Sequence, residues 1–121
     1  MIPTDTAFVL VRYMGRYIAR SGQMPRKADL DPSLANRLIR LVGDAEGAMR
    51  AIDVWLGSSD PWYEQHGFAL QTLCDIALVR LFAQGEFEPT GGVTPKIELA
   101  RKLAVALFLR PDLRVVPPEC S

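Results

Sequence analysis

Apolar residues in this chain recur every three or four positions, inside segments of which three open on Asp-Pro or Thr-Pro and four close on glycine. That spacing buries one side of a helix and nothing else, so it limits the chain to packed helices. Five such segments are predicted. The first runs from Asp5 to Arg20 and stops at Ser21-Gly22. At about 100° per residue, Leu10, Val11, Met14, Tyr17 and Ile18 gather on one side, and Arg12, Arg16 and Arg20 form a ridge on the other. Gly15 and Ala19 share a third strip with Phe8, where small side chains let another helix come close.

Asp31 and Pro32 open the second helix as N-cap and first-turn proline, and Gly43 ends it. Its inward face is Leu34, Leu38, Ile39, Leu41 and Val42. Asp44 caps a third helix that closes at Gly57, with Ala48, Ile52, Trp55 and Leu56 inward and Glu46 four residues before Arg50 outside. Asp60-Pro61 opens a fourth that reaches Gln84, on the order of 35 Å at 1.5 Å per residue, with Gly67 as a point where it can bend or shorten. Thr94-Pro95 opens the fifth, which Pro111 stops after Arg110. Residues 111–121 read as a flexible or extended tail, with room for a short strand at 113–116.

The expected fold is therefore all-α: a compact single-domain bundle of about five helices over residues 1–121, with the long fourth helix as its central hub. Leu73, Ile76, Ala77, Leu81, Leu99, Leu103 and Leu107 should form the centre, joined by Leu38, Ile52, Trp55 and Met14.

Fourteen basic side chains balance fourteen acidic ones, so no net field draws the chain to nucleic acid or an anionic membrane. The charges are segregated, though. Residues 1–50 carry net +3, residues 51–90 carry net −5 and residues 91–121 return to net +2. The plain expectation is that basic outer segments fold against an acidic middle. Cys74 lies in an apolar run and Cys120 near the end, a pairing that suits a reduced setting rather than a disulfide framework. Arg12 and Arg16 interrupt the first apolar run, which argues against a signal peptide or a membrane span. A cytoplasmic location is expected.

The last two helices carry more apolar surface than one core can use. Leu78 and Phe82 fall on the side of the fourth helix that Glu64, Gln71 and Asp75 mark as outer. Val105 and Leu109 take over the outer face of the fifth. Leu78, Phe82, Val105 and Leu109 are thus candidates for self-association, the alternative cover being the 85–93 loop and the tail or a different protein. Arg80, set among apolar neighbours, needs a carboxylate or carbonyl from another element.

Chemistry has little to stand on. One histidine precludes a two-histidine metal site, and His66 is read as structural despite Asp60, Trp62, Tyr63 and Glu64 nearby. No Cys-x-x-Cys, phosphate loop or nucleophile elbow occurs, so neither an enzyme, a metal nor a cofactor is expected. The expected role is a helical interaction protein, accessory or inhibitory, that binds a larger protein assembly and associates with itself. Its candidate contacts are Arg12, Tyr13, Arg16, Arg20, Arg26 and Lys27 with the acidic loop at Glu86 and Glu88. The alternative is a nucleic-acid-binding module that straddles phosphates with Arg12, Arg16 and Arg20 and stacks Tyr13 on a base.

Overall fold

A computed structural model describes residues 2–109, with the backbone alone at 109. Helix α1 (Thr4–Ser21) is followed by a 3-10 turn (Lys27–Leu30), α2 (Pro32–Val42) and α3 (Ala45–Leu56). A short α4 (Pro61–Gln65) precedes α5 (70–83), and α6 (Val93–Leu109) completes an all-α bundle with no strand among the described residues. The caps are those the sequence announces. Asp31, Asp44 and Asp60 accept the N–H groups of Ser33, Gly47 and Trp62 at 2.9, 2.6 and 2.9 Å. The tail 111–121, the strand considered at 113–116, Cys120 and the side chain of Leu109 lie outside the described residues.

The fourth segment is not one long helix. Gly67 (φ 70°) and Phe68 (φ 52°) are both left-handed and reverse the chain between α4 and α5. Phe68 tolerates a conformation that costs a non-glycine residue roughly 1–2 kcal/mol because its ring is buried. It packs edge-on to Trp55 at 5.4 Å with the Arg20 guanidinium 4.6 Å over its face. With that segment divided, the hub is α2, which packs against α1, α3, α5 and α6.

Within α5 the turn Leu73–Ala77 is a π turn, where the Leu78 N–H reaches back five residues to the Leu73 carbonyl. One extra residue in the turn shifts the phase of everything after it. Leu78, expected on the side of Gln71 and Asp75, is rotated into the core and is fully buried, and Phe82 is half-buried. Leu78 is therefore not free for self-association.

Leu73, Ala77, Leu81, Leu99, Leu38, Ile52 and Trp55 are buried as expected, while Ile76, Leu103 and Met14 are only partly so and Leu107 is exposed. Helix α1 differs most. Its inward residues are Thr6, Val9 and Tyr13, whereas Val11 and Ile18 face out. Polar anchors turn it: Thr6 Oγ1 donates to Asn36 Oδ1, and the Tyr13 hydroxyl donates to the Phe68 carbonyl at 2.7 Å while its ring stacks on Trp55.

The 85–92 connection is pinned to the α2–α3 corner. Thr90 and Gly91 donate their N–H groups to the Val42 carbonyl, and Thr90 Oγ1 donates to Asp44 at 2.9 Å. Gly43 and Gly91 touch there: a Cβ on Gly43 would sit 2.2 Å from the Gly91 Cα. Phe87 is buried behind this strap, beneath the Arg50 guanidinium at 5.8 Å. That contact takes the place of the expected Glu46–Arg50 pair.

Candidate functional site

The arginine ridge is engaged within the chain. Arg16 Nε lies 2.8 Å from Asp53 Oδ1 on α3, with Arg12 at 3.6 Å from the same oxygen. Arg20 donates to the Leu56 and Ser58 carbonyls at 3.0 and 2.5 Å and reaches Glu64 at 3.4 Å. Basic α1 thus lies against the acidic middle, and the ridge fixes α1 to the end of α3. Tyr13, expected beside the ridge as a stacking platform, is fully buried and cannot meet a base. Its hydroxyl proton is held more tightly than usual, chiefly by burial. Arg26 pairs with Asp29, and Lys27, Glu86 and Glu88 are exposed.

Arg80 finds its partner on α4. Its guanidinium donates to Asp60 Oδ2 at 2.9 Å and lies 4.8 Å over the Trp62 ring, with its side chain 14% exposed. Burial pushes the Asp60 carboxyl up, but the Trp62 N–H and Arg80 outweigh it and hold the group below its ordinary range.

Two apolar strips are left uncovered by the described residues. On α1, Phe8, Val11, Gly15 and Ile18 follow one another at intervals of three, four and three, all exposed, with Ala19 beside them. Val11 is 60% exposed. On α6, Val93, Ile97, Ala100, Ala104 and Leu107 alternate four and three, flanked by Val105 and by Phe108 at 85% exposure. Alternation of three and four is the spacing of a helix–helix seam. Of the expected self-association residues, Val105 alone is described and exposed. The α1 strip was legible as small residues beside Phe8. Ile97 and Phe108 were missed because α6 is apolar on most sides, leaving the periodicity no face to single out.

The third feature is polar. His66 closes α4, and its Nδ1 lies 2.7 Å from the Trp62 carbonyl while the ring stacks on Trp62 at 3.9 Å. A carbonyl can only accept, so Nδ1 carries the hydrogen, and in the neutral ring Nε2 keeps its lone pair. His66 lines an open groove of about 460 Å3 with Arg26, Asp29, Gln71, Thr72 and Asp75. Among the described residues no three groups come together as a metal site. The buried Cys74 thiol donates to the Leu34 carbonyl at 3.3 Å, and burial pushes it up to about 12. No helix among them is long and apolar enough to cross a membrane. Comparison of the chain with protein-family models, with curated proteins and with solved structures finds no match.

Proposed function

We propose that the protein is a non-enzymatic interaction module that docks helices on its exposed apolar strips, a second copy of itself among them, and acts as an accessory or inhibitory component of a larger protein assembly. The observation that carries this reading is Gly15. A glycine inside a helix costs roughly 0.5–1 kcal/mol relative to alanine. Nothing among the described residues requires it here, since a Cβ at Gly15 would meet none of their atoms within 4 Å. The open space lies between Val11 and Ile18 on a strip spaced for helix packing, so the missing side chain suits the close approach of a helix from outside.

The α6 strip supports self-association independently. Paired antiparallel with its own copy about Ala100, Val93 would meet Leu107 and Ile97 would face the Leu103–Ala104 turn, with the small Ala100 at the crossing. The 85–92 connection, one of the covers considered for this helix, is instead tied to the α2–α3 corner. The nucleic-acid-binding alternative is less favoured, because Asp53 and Glu64 already neutralise much of the ridge.

Sedimentation velocity on the full chain over a wide concentration range tests the proposal. Association is expected, reduced by Val11→Glu on one strip or Ile97→Glu on the other. A strict monomer at several hundred micromolar counts against self-association. A chain cut after residue 109 that dimerises where the full chain does not would assign the α6 strip to residues 110–121 instead.

A further inference from the structure

The groove beside His66 is lined by a carboxylate that is largely buried and whose ion pair is long. Asp29 sits in the 3-10 turn with its side chain 8% exposed. Its cationic neighbour is Arg26, whose Nε lies 3.5 Å away on a side chain that is 79% exposed, too long and too loosely held for a strong charge-assisted bond. A carboxylate this far out of water gains from each added donor, and a closer cation would serve it better than Arg26 does. The groove supplies a place for one. Its volume of about 460 Å3 falls within the range of small-molecule sites. Asp75, held at 3.0 Å by Arg37, contributes a second carboxylate to the lining, and Gln71 and Thr72 add uncharged oxygens. The His66 ring is fixed by hydrogen bond and stacking, and its free Nε2 is one more acceptor.

We propose that this groove binds a cationic nitrogen, an ammonium or guanidinium group, with Asp29 as the pairing carboxylate and Gln71, Thr72 and His66 accepting its remaining hydrogens. The acceptor-rich lining decides the sign of the ligand: the one buried charged group is an acid, and Arg26 stands at the mouth as the cation to be displaced. The group can belong to a free amine or to a lysine or arginine side chain of a peptide, and the chemistry is the same for both. The site is separate from the apolar strips and does not depend on their role.

The test is an NMR titration of the full chain, following the amides of Gln71 and Thr72 and the His66 ring. The probes are n-butylammonium, n-butylguanidinium, a capped pentapeptide with a central lysine, and n-butyrate as the anionic control. Saturable shifts are expected with the cations alone. Asp29→Asn should weaken them at least tenfold, and Arg26→Ala, which removes the competing cation, should tighten binding severalfold. The second variant separates a ligand site from a merely structural ion pair, because loss of a structural partner would lower stability and leave amine affinity unchanged. It also keeps the test decisive should Asp29→Asn fail to fold. Tighter binding of the peptide than of n-butylammonium identifies a protein side chain as the source, and equal binding identifies a small amine. No saturable shift with any cation, equal binding of n-butyrate, or an Arg26→Ala variant with unaltered affinity overturns the proposal.

Discussion

Replacing Asp60 by alanine removes two interactions at once. The carboxylate caps α4 through the Trp62 N–H at 2.9 Å and receives the Arg80 guanidinium at 2.9 Å. A lost cap is worth about 1 kcal/mol and a charge-assisted hydrogen bond about 1.5–3 kcal/mol, so Asp60→Ala should cost about 3 kcal/mol. For a domain of this size that lowers Tm by about 10 °C. Arg80→Met should be far milder, at about 1 kcal/mol or less. The Asp60 carboxylate left behind is 25% exposed and keeps the Trp62 N–H, whereas Asp60→Ala strands a guanidinium that is 14% exposed, and the Met thioether still packs on Trp62 and Tyr63. The double variant should lose little beyond the cap, giving a coupling of about 2–3 kcal/mol between the two positions. Urea denaturation followed by the fluorescence of Trp55 and Trp62 measures all three. The pH dependence carries the same sign. The folded-state pKa of Asp60 is depressed, so its contribution is complete above the ordinary carboxylate value of about 3.9 and is lost as pH falls through the lower folded value. An Arg80→Met variant as damaged as Asp60→Ala, or a coupling below about 0.5 kcal/mol, would refute the assignment of this pair as a desolvated ion bridge.

Gly43→Ala should destabilise by at least about 3 kcal/mol, since φ there is 119° and the added Cβ would lie 2.2 Å from the Gly91 backbone, whereas Gly15→Ala should raise Tm of the isolated chain by a few degrees; thermal melts of both at low concentration check this contrast. Tyr13→Phe leaves the Phe68 carbonyl without its hydroxyl donor and should cost about 1–2 kcal/mol in urea unfolding. The Cys74 thiol, buried and raised to about 12, should react with a disulfide reagent at neutral pH only at the rate of unfolding, so that adding denaturant accelerates its labelling.

Local signals announced the fold well. Asp31, Asp44 and Asp60 cap helices because a carboxylate next to Pro or Ala at those points has N–H groups to accept, and that chemistry is complete within four residues. What the sequence hid depends on distant partners. Periodicity ranked Val11 and Ile18 as inward because it weighs apolarity alone. The rotation of α1 is set instead by Tyr13 reaching Phe68, Thr6 reaching Asn36 and Arg16 reaching Asp53, each more than twenty-five residues away. The break at Gly67-Phe68 was visible only as a glycine, since a left-handed phenylalanine has no local signature. The groove was illegible for the same reason: Asp29 and His66 are far apart in sequence, and the chain reversal is what brings them to one lining.

The π turn at Leu73–Ala77 works as a phase shifter in the middle of α5. Up to and within it the helix presents Gln71 and Asp75 to water, and behind it the same winding would have presented Leu78 and Phe82. Excising one residue from that turn would let the backbone heal into an ordinary α-helix and swing the far half by about 100°. A fully buried leucine and a half-buried phenylalanine would then be turned outward together. At this spot the count of residues matters more than their identity, and a one-codon deletion would be more disruptive than most substitutions.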